Sequence, residues 1–344
     1  MTKTLTAIAL VASLPIAAQA QDTAIADVPT VVLQEPTQSF IDSLAGADPL
    51  PSMSYEDARQ VLIDTQTGAD VEMMDADVSE MTLDGDNGSF TIYTVRPAGT
   101  EGETLPGVVY FHGGGWILGN FTTHERLVRE LANKAGAAVV FVDYTAAPEA
   151  KHPTQLNQNF QTLQYVAENA DEFGIDPNQL SLAGDSVGGH MVAVVSQMAL
   201  ENGGPELDSL AFLYPVTTAD LTSESYELFS DGPWLTKGMM EWMWDAYLPE
   251  GADTTDPMIS PLNYDAEALA QLPPSLVITD ANDVLRDEGE AFAMKMVEAG
   301  VSVEAARYDF TIHDFMMLNP ITDTPAPRAA IEQTARFLSE NFTE

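Results

Sequence analysis

The sequence predicts an α/β protein whose central sheet is mostly parallel and covered by helices on both faces. From Gly107 onward, short apolar runs alternate with amphipathic stretches, as in "GVVYF" followed by "HERLVRELANKAG". Strands that are continuously apolar, without polar alternation, are typical of a sheet that is buried on both sides. With 344 residues, 45% of them hydrophobic, the chain is long enough to bury such a core.

The first element, residues 1–20, is predicted to be an export signal. Lys3 precedes an almost wholly apolar run from Leu5 to Ala18, and the small-x-small motif ending at Ala20 is typical of signal cleavage. We therefore expect an exported protein, periplasmic or secreted. The alternative is that this stretch forms a first buried helix.

Residues 21–75 are predicted to be helical. The stretch "SYEDARQVLID" begins with Ser54, and Asp57 follows at capping-box spacing. Its apolar residues recur at helical spacing, which places three of them on one face: Ala58, Val61 and Leu62.

A hairpin and then alternating strands and helices follow, within a single domain predicted over residues 76–344. Asn87-Gly88 is a favoured hairpin turn between two strands in "VSEMTLDGDNGSFTIYTVRP". "DGDNG" resembles a calcium loop, but Val95 stands where that loop needs glutamate, so no metal is expected. The later predicted segments are "AAVVFVDY", "NQNFQTLQYVAENA", "LSLAG", the helix after it, "SLAFLYP", "SLVIT", "EGEAFAMKMVEAG", "VEAARY" and "APRAAIEQTARFLSENF".

The charge balance excludes two classes of partner. The chain carries 53 acidic and 13 basic residues, a net charge of −40, whereas nucleic acids and anionic membranes require clustered Lys and Arg. Beyond the N-terminus, no apolar stretch approaches the roughly 20 residues that a membrane span needs. The acidic residues are scattered along the chain and do not form an acidic tail. Plain solubility and adaptation to salty water, where ions screen the self-repulsion, remain as explanations, and salt adaptation is favoured. The absence of cysteine excludes disulfides.

The stretch "LAGDSVGGHM" predicts a catalytic serine. Ser186 lies between a predicted strand and a predicted helix, with Gly184 and Gly188 two residues away on either side. Glycines permit the sharp turn that holds a serine hydroxyl above a sheet, at a helix N-terminus that favours developing negative charge.

A serine nucleophile needs a base and a carboxylate that orients the base. Of five histidines, His313 follows the last predicted strand, and structural roles are expected for the others: His112, His124, His152 and His190. In "VITDANDVLRDEG", Asp283 lies in the predicted loop, whereas Asp280 belongs to the strand end and Asp287 to the next helix. The predicted triad is Ser186, Asp283 and His313.

An oxyanion hole is predicted at "VVYFHGGGW". Gly113, Gly114 and Gly115 follow a strand, and their backbone N–H groups can converge with that of Val187 on a substrate oxygen. A flexible glycine turn is the alternative interpretation.

From about Met53 onward the sequence resembles the hormone-sensitive-lipase-like branch of the α/β-hydrolases, the bacterial family IV esterases. The motifs that carry the resemblance are "HGGGW", "VDYTAAPEAKHP", "GDSVGG", "FLYPVT", "DVLRDEGE" and "IHDF". It implies hydrolysis of short-chain carboxylic esters without a cofactor, with the triad and oxyanion hole at the predicted positions. Within the hole it implies Gly114 and Gly115 as donors in preference to Gly113, with His112 bracing the loop.

The chain departs from the family pattern at four positions near the site. Val187 replaces the usual alanine after the nucleophile, and Val284 replaces a proline. The tyrosine of "DYTAAPE" lacks the arginine that commonly follows it. Asp314 replaces the glycine that usually follows the histidine, and a carboxylate there can raise the pKa of His313 or misdirect its ring.

The resemblance also implies a cap built from residues 21–75 and an insert at about 217–256. The insert contains "WLTKGMMEWMWDAY", which interrupts the strand–helix alternation. Trp234 and Trp242 are candidates for lining an acyl pocket, as is Trp116 beside the glycine loop, whereas Trp244 is expected to pack between cap and core. Such a pocket favours small acyl groups.

Two alternatives to a serine esterase stay open. A ligand-binding protein on an esterase scaffold is disfavoured because His313 is retained. A small peptidase or amidase of the same fold would use the same triad, but the chain shows no obvious acidic pair to anchor an amine. The sequence leaves the oligomeric state open between monomer and dimer.

Overall fold

The computed structural model describes residues 31–342, whose strands form one eight-stranded sheet. The order across the sheet is β1-β2-β4-β3-β5-β6-β7-β8. β2 pairs antiparallel with both its neighbours, and all other pairs are parallel. The strands are β1 (Ala76–Leu83), β2 (Phe90–Pro97), β3 (Leu105–Phe111), β4 (Ala138–Asp143), β5 (Ile175–Asp185), β6 (Ser209–Leu213), β7 (Ser275–Asn282) and β8 (Val303–Ile312). The predicted mostly parallel sheet is confirmed.

Helices cover this sheet on both faces. In β6 every residue is buried, which for a strand with alternating side chains requires cover on either side. The α-helices are α1 (Glu35–Ser43), α2 (Tyr55–Thr67), α3 (Phe121–Ala135), α4 (Thr154–Glu168), α5 (Ala170–Phe173), α6 (Val187–Asn202), α7 (Glu224–Leu228), α8 (Lys237–Tyr247), α9 (Ala266–Leu269), α10 (Arg286–Glu298) and α11 (Pro325–Asn341). Short 3₁₀ turns lie at Leu50–Ser52, Pro261–Asn263 and Asn319–Ile321.

The start of α2 is close to the prediction. The Ser54 hydroxyl accepts a hydrogen bond from the Asp57 backbone N–H at 3.1 Å and donates to its carboxylate at 2.7 Å. The Asp57 carboxylate therefore bonds to the Ser54 hydroxyl. In a capping box it would instead accept a hydrogen bond from the backbone N–H of the N-cap residue. Ala58 and Leu62 are buried as predicted, whereas Val61 is 38% exposed.

The hairpin predicted at Asn87-Gly88 joins β1 to β2, and Gly88 has a φ of +90° that favours glycine. No helix within residues 31–342 has the length and apolarity needed to span a membrane.

The predicted domain division remains a prediction. Residues 1–20, the predicted export signal, lie outside the described residues. The first strand begins at Ala76, where the catalytic domain is predicted to start, and α7 and α8 lie within residues 217–256.

Candidate active site

Ser186 lies at a sharp turn between β5 and α6. Its φ of +54° is in the left-handed region that non-glycine residues rarely adopt, so the turn is strained. The turn also passes very close to neighbouring backbone. A Cβ at Gly188 would lie 1.9 Å from the Phe111 carbonyl oxygen, and one at Gly184 would lie 2.5 Å from that of Gly188. Glycine is therefore required at both positions for steric reasons.

The structure brings the three predicted triad residues together. His313 Nε2 lies 3.0 Å from Ser186 Oγ, and His313 Nδ1 lies 2.7 Å from Asp283 Oδ2. Asp283 directly follows β7 and His313 directly follows β8, so adjacent parallel strands deliver both to one edge of the sheet. The other carboxylate oxygen of Asp283 accepts a hydrogen bond from the Leu285 backbone N–H at 3.0 Å, which fixes its orientation.

The carboxylates that were not chosen for the triad occupy the predicted places. Asp280 lies within β7 and is fully buried, and Asp287 lies in the first turn of α10, where it accepts a hydrogen bond from the Ser225 backbone N–H. Ligand atoms of Asp280, Asp283 and His313 lie within 4.8 Å of one another, and in residues 31–342 this is the one cluster with the spacing of a metal site. Asp283 and His313 already bond to each other there.

The remaining histidines bond away from the serine. His124 Nε2 lies 3.3 Å from Asp185, His152 Nδ1 lies 3.1 Å from the Tyr247 hydroxyl, and His190 Nε2 lies 3.1 Å from the Met258 carbonyl oxygen. His112 Nδ1 lies 2.7 Å from the Gly113 carbonyl oxygen. Its ring stacks on Tyr144 with the ring centres 4.1 Å apart. The contact with Gly113 places His112 against the glycine loop, as the family resemblance implies.

The glycine loop leaves two of its three N–H groups available to a ligand. Gly113 donates its backbone N–H to Asp185 Oδ1 at 3.0 Å, so naming Gly113 as an oxyanion donor is wrong. In the described part of the chain, no acceptor is recorded for the N–H groups of Gly114, Gly115 and Val187. Gly114 and Gly115 have φ values of +101° and +62°, a backbone conformation that favours glycine at both positions.

Asp185 lies at the centre of a buried hydrogen-bond network beside the site, and the sequence analysis did not identify it. Its buried carboxylate accepts hydrogen bonds from the Tyr110 hydroxyl at 2.7 Å and from Gly113, and it contacts His124. It therefore ties the end of β3 and the start of the glycine loop to the residue before Ser186. The signal was an acidic residue within the otherwise apolar "LSLAGDS".

Carboxylates surround His313 and set its charge. Burial alone would lower the pKa of His313, but Asp283, Asp314 and Asp280 outweigh it and raise the pKa to about 10. Burial raises the pKa of Asp280 well above its usual range, and the neighbouring Asp283 raises it further. For His112, burial and the nearby His124 lower the pKa to about 3.

Asp314, which replaces the usual glycine, has a φ of +64°. This left-handed backbone explains why glycine suits the position. Asp314 Oδ1 lies 3.3 Å from His313 Nε2, and Oδ2 accepts a hydrogen bond from Trp234 Nε1 at 2.9 Å. The ring of His313 nevertheless keeps its contacts with Ser186 and Asp283.

A cavity of about 40 Å³ adjoins Ser186 and His313. Its walls come from the glycine loop, α2 and the segment at 234–243. They are mostly apolar, as the lining residues show: Leu50, Val61, Leu62, Thr65, Gly114, Gly115, Leu118, Trp234, Leu235, Met239, Met243, Asp314 and Met317. Val61, the exposed member of the predicted apolar face of α2, also lines this cavity.

Only one of the three tryptophan candidates lines the cavity. Trp234 does so, but Trp116 is fully buried and stacks on Tyr247 with ring centres 4.0 Å apart. Trp242 stacks on Tyr55, with ring centres 5.4 Å apart. Trp116 and Trp242 were wrong as pocket candidates because neighbouring tyrosines cover their faces. Trp244 is buried against Trp116, as the predicted packing role requires.

Two polar side chains of α2 fix this helix to the site, and no sequence pattern indicated either of them. Arg59 donates to the carbonyl oxygens of Ile117 and Ala147, beyond the glycine loop. Gln66 donates to the carbonyl oxygen of Met317, four residues after His313. The wall formed by α2 is therefore bonded to both sides of the active site.

Comparison with known proteins agrees with this geometry. A family model of the α/β hydrolase fold matches residues 108–317. The crystal structure of a thermostable esterase from Pseudomonas putida superposes with a TM-score of 0.89 at 43% identity, covering 92% of this chain and 99% of that one. An esterase of Gibberella moniliformis is 33% identical over 264 residues, 76% of this chain and 83% of its own. Carboxylesterase NlhH of Mycobacterium tuberculosis is 38% identical over 242 residues, 69% of this chain and 73% of its own.

The chain belongs to the α/β-hydrolase family, in its hormone-sensitive-lipase-like branch. Within that family it is a carboxylic ester hydrolase, as the esterases among its relatives and structural neighbours show.

Proposed function

We propose that the enzyme hydrolyses short-chain carboxylic esters through an acyl-enzyme intermediate, with Ser186 as nucleophile, His313 as general base and Asp283 as the carboxylate that orients His313. The observation that carries this proposal is the continuous chain of contacts from Ser186 Oγ through both ring nitrogens to Asp283, at 3.0 and 2.7 Å. Asp283 fixes the tautomer in which Nε2 is free to accept the serine proton.

The reaction follows from the positions of these groups. Ser186 Oγ attacks the ester carbonyl carbon while His313 Nε2 takes its proton, and the carbonyl oxygen becomes an oxyanion. The N–H groups of Gly114, Gly115 and Val187 bind that oxyanion, helped by the N-terminus of α6. His313 then protonates the departing alcohol oxygen. Water, deprotonated by His313, attacks the acyl-enzyme in the same way and releases the carboxylic acid.

The preference for short acyl chains is supported by the size and walls of the cavity. The cavity volume of about 40 Å³ has room for roughly three water molecules, which is enough for a small acyl group. Met243 closes one side of the cavity. Its sulfur packs so closely on Gly115 that a Cβ added there would lie 2.2 Å from it. We expect acetyl to butyryl p-nitrophenyl esters to give a far higher kcat/KM than octanoyl or longer esters. A profile that peaks at ten carbons or more would contradict a narrow pocket.

Two measurements test the activity against the alternatives. A fluorophosphonate probe should label the wild-type enzyme and not Ser186→Ala, whereas a ligand-binding protein without a reactive serine would not be labelled. Matched ester and amide substrates with the same acyl group should show a strong preference for the ester. Comparable rates on both would favour a peptidase or amidase.

We also propose that the enzyme is exported. The basic, apolar and small-x-small order of residues 1–20 supports this. Expression of the full-length chain in a bacterial host should give periplasmic or secreted enzyme whose N-terminal sequence begins near Gln21. Cytoplasmic protein that retains Met1–Ala20 would contradict export.

A further inference from the structure

The proposed mechanism leaves one charged side chain of the cavity without a role. Asp314 lines the cavity beside Ser186, and its side chain is 16% exposed. Oδ1 lies 3.3 Å from His313 Nε2, the nitrogen that faces the serine, and Oδ2 accepts the hydrogen bond from Trp234. The carboxylate is thus held from two sides next to the reacting atoms.

The backbone at Asp314 shows that this placement has a conformational cost. A φ of +64° is unfavourable for residues with a Cβ, although Asp and Asn tolerate it better than most. Trp234, 80 residues earlier in the chain, also lines the cavity and supplies a matching donor. The Asp314 side chain is therefore held by a tertiary hydrogen bond within the cavity lining.

The cavity offers no cation that could neutralise a negatively charged ligand. Among the described lining residues there is no Lys or Arg, and the walls are mostly Met, Leu, Val and Gly. His313 faces Asp314 on one ring nitrogen and Asp283 on the other, so its imidazolium is already compensated. Asp280 lies close to His313 and Asp283, within 4.8 Å between ligand atoms. Burial raises the pKa of Asp314, whereas His313 and the hydrogen bond from Trp234 lower it; the charges of Asp185 and His124 also act on it.

We propose that Asp314 is a specificity-determining residue, which excludes esters that carry a carboxylate near the scissile bond and so restricts the enzyme to substrates without negative charge there. This inference rests on the proposed esterase function. A substrate carboxylate would approach the Asp314 carboxylate in a site with few water molecules, where like charges repel much more strongly than in bulk water.

The test uses two acetate esters that differ in charge, 4-acetoxybenzoate and its methyl ester, at pH 8. Each kcat/KM is divided by the rate constant for hydroxide-catalysed hydrolysis of the same ester, which removes the difference in intrinsic reactivity. We expect wild-type enzyme to prefer the neutral ester by roughly tenfold to a hundredfold, as two charges separated by about 5–6 Å in a partly dehydrated site should produce. In Asp314→Asn, which keeps an acceptor for Trp234, the preference should fall to within about threefold of unity.

Asp309→Asn is the matched control, because it removes one negative charge from an exposed position on β8, outside the cavity lining. It should keep the wild-type preference. Asp314→Gly repeats the test in a backbone that accepts a positive φ, in case the asparagine variant fails to fold. Equal corrected rates on both esters by wild-type enzyme would overturn the inference, as would an unchanged preference in the position-314 variants. Failure of the wild-type enzyme to hydrolyse even the methyl ester would instead contradict the proposed function.

Discussion

On two sides of the active site, the surroundings shift the pKa of a buried histidine in opposite directions. On the oxyanion side, His112 is fully buried beside the glycine loop, and its pKa is lowered to about 3. On the opposite side, His313 is also fully buried, and its pKa is raised to about 10. Burial lowers the pKa in both cases, so the neighbours decide the outcome: another histidine beside His112, and three carboxyl groups around His313.

The difference suits the two tasks. A neutral His112 donates from Nδ1 to the Gly113 carbonyl oxygen and keeps its charge constant while negative charge develops at the glycine loop. In the proposed mechanism His313 accepts a proton from Ser186, and carboxylates next to both its nitrogens would stabilise the imidazolium that results. One side of the site is therefore built to stay neutral, and the other is built to hold a proton.

The largest expected effect comes from removing the nucleophile or the base. Ser186→Ala and His313→Ala should each lower kcat by about 10³-fold or more, because triad members act as a unit, with a small remainder from the oxyanion hole. His152→Gln, which alters a histidine bonded to Tyr247, is the control and should keep kcat within about threefold. Near-normal turnover by His313→Ala would make the assignment of the base wrong.

The second effect is the pH dependence of kcat/KM. Only neutral His313 can accept the serine proton, so activity should rise with pH toward a midpoint near 10 and lie roughly a hundredfold below its plateau at pH 8. Asp314→Asn should lower that midpoint, because it removes one of the carboxylates that stabilise the imidazolium. A single limb is expected, since His112 with a pKa of about 3 stays neutral throughout. A wild-type midpoint near 6.5 would contradict the influence of the carboxylates.

The same shift predicts the sign of a stability change. Because the folded-state pKa of His313 is raised from 6.5 to about 10, the imidazolium contributes its full stabilisation below about pH 6.5. That contribution is lost as pH rises through about 10. The urea midpoint of the wild-type protein should therefore fall more steeply over pH 7–10 than that of His313→Gln, whose side chain does not titrate. Parallel curves would contradict this contribution.

The two sides also differ in how far the sequence predicted them. Ser186, its flanking glycines and the glycine loop are encoded locally, because a strand–turn–helix needs glycine at fixed positions. Asp283 could be chosen because the neighbouring acids fell in a strand and a helix. The contact of Asp314 with Trp234 joins residues 80 apart, and those of Arg59 and Gln66 are to backbone carbonyl oxygens. Neither kind of contact leaves a pattern in a single sequence. The same holds for the stacking of Trp116 and Trp242 on distant tyrosines, which covers their faces, so that neither lines the pocket.

A third, smaller effect is expected on the oxyanion side. Asp185→Asn removes the charge that holds the Tyr110 hydroxyl, the Gly113 N–H and His124 together, so the glycine loop should lose part of its alignment. We expect kcat to fall about tenfold with little change in KM, since the loop acts mainly in the transition state. Exposed Asp309→Asn is again the control. A lowered Tm with unchanged kcat would assign Asp185 a purely structural role.

The smallest expected effect is the response to salt, which should differ between the buried carboxylates and the many at the surface. With 53 acidic and 13 basic residues, the chain repels itself at low ionic strength, where the Debye length is roughly 30 Å at 0.01 M. Near 1 M NaCl that length falls to about 3 Å, so the Tm should rise by several degrees across this range, most of it early. The midpoint of the pH profile should move much less, because Asp280 and Asp283 are buried and the Asp314 side chain is only 16% exposed, so salt screens them poorly. A flat or falling Tm at constant pH would reject salt adaptation and leave solubility as the role of the acidic surface.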